Sequence, residues 1–332
     1  MNKKLTNYEI AGRISIKTNV KPYFLPKTLI KRGKKYAERN VIIFKKARNI
    51  PVKKERLVKI IGPYSSASRN ILFSQSLLSW VVVRNLMERC EIIFNKNALK
   101  NLKIDGFTLE NLLEDTLHIK LITNKFAILH AAAVSGEKSA MVLAGWAGAG
   151  KTPLLIKILK ETNLNYVSNE ITIVSEKGKV WPFPSTVRYE TPTRFRIPRR
   201  LHPILPKIPG LKKLNKIVFK PFTSYSTERK DKKVKYCVIL QLSKVEYSKK
   251  LSKKDALRKI IQIVNQVLRI DRHPLLKEYF YLNDIDVEKL YRKRELVLRR
   301  FLSKVKLIIE VGGINENIYF NQLREYLGDI SV

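Results

Sequence analysis

Between Gly145 and Thr152 the chain reads Gly-Trp-Ala-Gly-Ala-Gly-Lys-Thr. Two glycines spaced this way and followed at once by lysine and threonine match the pattern of a phosphate-binding loop. Glycine lets the backbone turn its N–H groups inward on an anion, and a helix starting behind the loop adds positive potential. On this reading Gly145, Trp146, Ala147, Gly148, Ala149 and Gly150 cradle the phosphates of a nucleotide. Lys151 reaches the terminal phosphates, and the Thr152 hydroxyl holds Mg²⁺. The plain alternative is a glycine-rich turn that matches by accident.

The elements needed to position such a loop are legible around it. Ser139-Ala140-Met141-Val142-Leu143-Ala144 has the character of a short buried strand, and Leu154, Leu155, Ile158 and Leu159 form an apolar helical stripe. Pro153 falls in the first helical turn, where no intrahelical N–H bond is lost. Phe126 to Val134 leads through a Ser135-Gly136-Glu137-Lys138 turn into the loop strand. Asn165 to Ser168 follows the loop helix, and Ile171–Val174 with Lys179–Trp181 reads as a hairpin. Upstream, the spacing predicts a helix over 71–90, with Leu77, Leu78, Val81, Val82 and Leu86 inward, and a strand over 91–94. A second helix is predicted over 108–125, with Leu109, Leu112, Leu113, Leu117 and Leu121 on one face and His118 exposed or packed. Downstream come a core strand over 235–242 and a helix opened by Ser252-Lys253-Lys254-Asp255, with Leu257, Ile260, Ile261, Val264 and Leu268 inward. A basic amphipathic helix over 286–303, a last strand over 304–311, a Gly312-Gly313 turn and a closing helix over 318–327 complete the chain.

Composition bounds the reading. The chain has 332 residues and 45% hydrophobic content, enough for a real core in one large or two modest domains. No apolar run is long enough to span a bilayer, and the N-terminus lacks an apolar signal core, which points to a cytoplasmic protein. Cys90 and Cys237 are too few for a disulfide framework or a zinc site. The formal charge of +38 is far more than solubility needs and suggests a polyanionic partner such as RNA. Lysine and arginine outnumber Glu9, Glu38 and Glu55 many-fold in residues 1–60, and residues 191–222 contain no acid at all. Around the loop, by contrast, charge is nearly balanced. A Lys-rich solvated surface accounts for the same numbers without any partner. Residues 1–68 read as a basic, β-rich module with Tyr23, Phe24 and Tyr36 interleaved, a mixture that suits single-stranded nucleic acid and equally an ordinary small sheet. The turn-rich stretch Gly62 to Ser68 marks its boundary with a second unit, 69–332.

The order of pieces after residue 126 resembles the HPr kinase/phosphorylase C-terminal-domain family, a branch of the phosphoenolpyruvate-carboxykinase-like P-loop fold. The matching pieces are Leu129-His130-Ala131-Ala132-Ala133-Val134, Gly145 to Thr152, Val167-Ser168-Asn169-Glu170 and Val180-Trp181-Pro182-Phe183-Pro184. The resemblance covers about residues 126–190 specifically, extends loosely to the end, and leaves residues 1–68 outside. It implies a mixed sheet with flanking helices and a kinase-type site holding ATP and Mg²⁺. It also implies an acidic pair that binds metal and takes the acceptor's proton. Here that pair falls on Asn169 and Glu170, so an amide stands where the first acid would be; Asn169 can coordinate Mg²⁺ but cannot act as a base, and Glu170 then carries both jobs or shares the metal with Thr152. The family's histidine maps to His130, as a contact to phosphate or base; judged alone, a histidine on an apolar segment is more often a packed core residue.

Residues 191–234 are Pro-rich and basic and suggest an extended flap beside the nucleotide. Arg188 is a candidate for stabilising transferred charge, and Arg194, Arg196, Arg199 and Arg200 are candidates for gripping an anionic substrate. The expectation is an ATP- and Mg²⁺-dependent kinase that moves the γ-phosphoryl group to a hydroxyl on RNA or another anionic acceptor. The rival is a nucleic-acid-binding ATPase or switch with no acceptor. A scaffold that holds nucleotide without catalysis is a third expectation.

Overall fold

The computed structural model describes residues 5–22, 24–31, 36–49, 59–61, 65–68, 71–75, 79–101, 108–184, 225–267 and 272–331. Two mixed sheets form. The first is built from Thr6–Ile10 (β1), Ile14–Thr18 (β2), Val41–Lys46 (β3), Lys59–Ile61 (β4), Ser65–Ser68 (β5), Ile71–Gln75 (β6), Trp80–Arg84 (β7) and Cys90–Phe94 (β8), in the order β1-β2-β3-β8-β7-β6-β5-β4. β1 and β2 form a hairpin. Ala11 and Gly12 take positive φ at its turn, and Ile10 faces Ile14.

Two expectations change here. The helix expected over 71–90 is the antiparallel pair β6–β7, with Ile71 opposite Arg84 and Gln75 opposite Trp80. The reason is local: Trp80-Val81-Val82-Val83 is a run of aromatic and β-branched side chains, stiff at χ1 and suited to a pleated surface. A helical count of apolar positions could not separate the two. β5 and β6 also pair with each other, so the first sheet continues past Ser68 to Phe94 and the β-rich unit is longer than the turn signals suggested.

The second sheet contains Phe126–Leu129 (β9), Ala131–Ser135 (β10), Ser139–Gly145 (β11), Asn165–Ser168 (β12), Thr172–Ser175 (β13), Lys179–Trp181 (β14), Lys232–Leu242 (β15), Tyr247–Lys250 (β16) and Leu307–Gly313 (β17). Its order is β12-β10-β11-β15-β14-β13-β9, with β17 paired to β15 and β16 to β17. Gly312 and Gly313 lie inside β17, paired with Gln241 and Leu242, instead of forming a turn. A Cβ at Gly312 would fall 2.2 Å from the Tyr247 ring, so that ring's position on β16 accounts for the glycine.

The helices are Lys96–Asn101 (α1), Leu109–Thr123 (α2), Lys151–Glu161 (α3), Lys253–Val267 (α4), Pro274–Leu282 (α5), Val287–Lys304 (α6) and Glu316–Ser331 (α7). Their starts follow from capping. Thr108 and Asn111 form a capping box on α2, Ser252 accepts from the Asp255 N–H on α4, and Asp286 accepts from Lys289 N–H on α6.

Alternation along the second sheet decides what covers each face. Ala132, Val134, Met141, Leu143, Tyr236, Val238 and Leu240 pack with Leu154, Leu155 and Ile158 of α3 and Tyr319 and Leu323 of α7. Their neighbours Ala131, Ala133, Val142, Ala144, Cys237 and Ile239 belong to the other core, with Leu112 and Leu117 of α2, Ile260 of α4, Phe301 of α6 and the first sheet. Both faces are covered, which is why these strands read as continuous apolar runs. Helices α5 and α2 anchor the loops of the first sheet. Tyr279 Oη of α5 accepts from the Leu86 N–H at 3.1 Å, and buried Lys120 of α2 donates to the carbonyls of Arg39 and Glu88.

Candidate phosphate-binding site

β12, β11, β15 and β17 run in the same direction, so Ser168, Gly145, Leu242 and Gly313 all end on one edge. Ligands of open α/β sheets gather at such carboxyl edges. β10 starts there in the opposite sense, with Ala131 opposite Ala144, which brings His130 to the same edge.

The loop leaves β11 at Gly145 and enters α3 at Lys151. Gly148 and Gly150 have φ of +83° and +84°, the left-handed region that a side chain disfavours. Gly150 also lies against the ring of Tyr319, where an added Cβ would sit 3.2 Å from the nearest ring carbon. Ala147 and Gly148 are exposed at the tip, Ala149 is buried, and Trp146 packs partly buried against the core. The Ala149 N–H donates to the Trp146 carbonyl at 3.1 Å and closes the turn.

Lys151 is buried, and its Nζ donates to the carbonyls of Gly145 and Trp146, both at 2.8 Å. Burial pushes its pKa down to about 8, with Glu170 pulling the other way. The Thr152 hydroxyl donates to Asn169 Oδ1 at 3.1 Å, so the loop helix and the end of β12 meet through two oxygen-bearing side chains. Asn169 is 1% exposed and its carbonyl accepts from the Ile171 N–H at 2.8 Å in a tight turn. Beneath it, the Ser168 and Thr172 hydroxyls lie 2.8 Å apart and Thr172 donates to the Ala131 carbonyl at 2.7 Å, fixing this turn to β10. Glu170 takes a φ of +64°, unusual for a side chain of its size, and stands exposed at the edge.

His130 is partly buried. Burial first, and then the Lys151 ammonium, push its pKa down to about 4, while a hydrogen bond to the Glu170 main chain raises it. The imidazole is therefore neutral at pH 7. Thus Lys151, Thr152, Asn169, Glu170 and His130, from three separate stretches of the chain, share one edge. Arg188, Arg194, Arg196, Arg199 and Arg200, and the flap up to residue 224, lie outside the described residues. The flap's end is described: the Tyr166 N–H donates to the Ser226 carbonyl at 2.8 Å, and Glu228 N–H donates back to Tyr166 at 2.9 Å, extending the β12 edge.

Two residues near this edge escaped the sequence reading. Glu114 of α2 has its pKa raised by burial, lowered by Arg272, and raised again by Glu170. Arg272 precedes His273, the N-cap of α5, whose Nδ1 accepts from the Leu275 N–H at 3.2 Å. Neither sits in a motif, and only the packing of α2 brings Glu114 within electrostatic reach of both Glu170 and Arg272. His118, one turn further along α2, is buried, and its pKa falls to about 3 through burial and the nearby Arg294 charge.

Among the described residues, no three or more His, Cys, Asp or Glu side chains gather as metal ligands. None of the helices there is long and apolar enough to cross a membrane. No protein-family model matches the chain, and no curated protein matches it.

Proposed function

We propose that the chain is an ATP- and Mg²⁺-dependent kinase whose nucleotide sits on Gly145–Thr152, and that it moves the γ-phosphoryl group to a hydroxyl on an anionic acceptor. The observation that carries this reading is the 3.1 Å hydrogen bond between Thr152 and Asn169, beside Glu170. It brings the hydroxyl expected to bind Mg²⁺ to the residues expected to flank the reacting phosphate. The residues suit the ion: hydroxyl, amide and carboxylate oxygens are hard donors, and Mg²⁺ is commonly held by one or two such groups plus phosphate oxygens. When bound, the ion neutralises charge developing on the phosphates.

The protein's own part is positioning and charge. Lys151 would exchange its two carbonyl partners for phosphate oxygens, which loop amides would also meet. Glu170, exposed at the edge, is the group free to take a proton from an incoming hydroxyl. Asn169 orients Thr152 and has no proton affinity for that role. Neutral His130 offers a hydrogen bond without adding charge. The excess of cationic residues beyond the site supports an anionic acceptor, RNA in particular. The reading also revives the likeness to the HPr kinase/phosphorylase C-terminal-domain family, with the acidic pair altered.

The test is transfer of label from γ-labelled ATP to total RNA, to small metabolites and to protein fractions. Labelled RNA supports the full proposal, and label in metabolites or protein alone removes its RNA part. The amide at Asn169 favours a second reading, an ATPase or switch without an acceptor. ATP hydrolysis that rises steeply with added RNA and leaves no labelled product would select it.

A further inference from the structure

The edge that carries the loop has two flanks. On the β12 flank Thr152 meets Asn169 with Glu170 beside it, so the metal and the terminal phosphate belong on that side. A nucleoside triphosphate anchored in this way directs its other end away from β12, toward the ends of β15 and β17. Those strands lie about 5 and 10 Å beyond β11 at the usual spacing of paired strands.

Three large apolar side chains stand exposed there, beside the exposed Lys244 and Glu246. Leu242, Val245 and Ile314 are 62%, 70% and 58% exposed. Their placement is fixed. Leu242 pairs with Gly313 at the last register position of β15 and β17, and the Ser243 N–H donates to the Gly313 carbonyl at 2.9 Å. Ser243 Oγ donates to the Val245 carbonyl at 2.8 Å and accepts from its N–H at 3.1 Å, a tight turn that holds Val245 outward. Ile314 follows Gly313 directly. One side chain binds this surface to the loop. Tyr319 packs its ring on Gly150 and donates its hydroxyl to the carbonyls of Gln241 (3.1 Å) and Gly313 (2.9 Å).

We propose that the nucleobase of the bound triphosphate packs on Leu242, Val245 and Ile314, with the ribose crossing the end of β15. The placement presupposes that the phosphates occupy the loop, as argued above. A flat, largely apolar base covers these side chains, while the phosphates stay in the polar cradle, the usual division of labour in a ligand site.

The test compares two probes, ATP and inorganic tripolyphosphate, each with Mg²⁺ in calorimetric titrations. The proteins are the wild type, the double variant Leu242→Ser/Val245→Ser and the single variant Ile314→Ser. All three positions are exposed, and circular dichroism checks that folding is intact. The expected result is an ATP Kd raised about tenfold in the double variant and severalfold in the single one, with tripolyphosphate binding unchanged. Unchanged ATP affinity in a protein that binds tripolyphosphate overturns the base placement and leaves the loop reading standing. Equal weakening of both probes also overturns it, because the variants then act on the loop. So does a change in sedimentation without a change in ATP affinity, which would make the patch a self-association face. A wild type that binds neither probe removes the nucleotide reading itself.

Discussion

Lys151 meets two opposing demands. Burial at the start of α3, whose amide ends already carry positive potential, disfavours its charge, and the carbonyls of Gly145 and Trp146 hold it in place. A bound polyphosphate favours the charged form and so raises the pKa above its value of about 8. It follows that ATP affinity is flat below pH 8 and falls as pH rises beyond it, a slope that Lys151→Met abolishes along with most of the binding. Titrating ATP at pH 7 and pH 9 in both proteins checks this. Glu170 carries a different expectation. Glu170→Gln should keep ATP binding within a fewfold and lose γ-phosphoryl transfer by at least about a hundredfold, the range typical of a lost general base. Unchanged turnover would point instead to a scaffold or switch.

Elements fix how closely these side chains approach. The loop lies between β11 and α3, and Tyr319 of α7 clamps it to the ends of β15 and β17. Gly150→Ala adds a Cβ at a left-handed φ and against that ring, and should cost about 1–2 kcal/mol in denaturant unfolding together with most ATP affinity. Tyr319→Phe removes one hydroxyl from two carbonyls and should cost about 1–2 kcal/mol while leaving ATP bound. Much of this edge was legible beforehand. The glycine, lysine and threonine spacing, the strand before it and the apolar stripe behind it all announce themselves within short windows. What stayed hidden depends on distant packing. The β6–β7 pair passed for a helix because apolar positions satisfied both periods, and the count of apolar positions gave no weight to the β-branched run Trp80-Val81-Val82-Val83. The continuity of the first sheet past Ser68 depends on pairing between strands, which turn residues do not report. Glu114 and Arg272 belong to no motif, and Glu114 senses both Glu170 and Arg272 only because α2 packs beside the second sheet.

At the scale of the molecule, charge and burial act together. His118, His130 and His273 are held mainly by burial at pKa values of about 3, 4 and 4. Below the unperturbed value of 6.5 the unfolded chain therefore takes up protons that the folded chain refuses, and stability falls as pH drops from 6.5 toward 4. His118→Leu should flatten this acid limb, which urea unfolding at pH 7 and pH 5 would reveal as a smaller loss between the two. A net charge of +38 carries its own signature. For RNA held through phosphate contacts the logarithm of the affinity falls linearly with the logarithm of salt concentration, whereas a merely solvated lysine surface gives no saturable binding at physiological salt. The central claim is nucleotide capture by Gly145–Thr152, and calorimetric titration of ATP with and without Mg²⁺ tests it most directly. The account predicts saturable, Mg²⁺-dependent binding to the wild type that Lys151→Met abolishes and Thr152→Ala weakens only when Mg²⁺ is present; binding that ignores Mg²⁺ and survives Lys151→Met would contradict it.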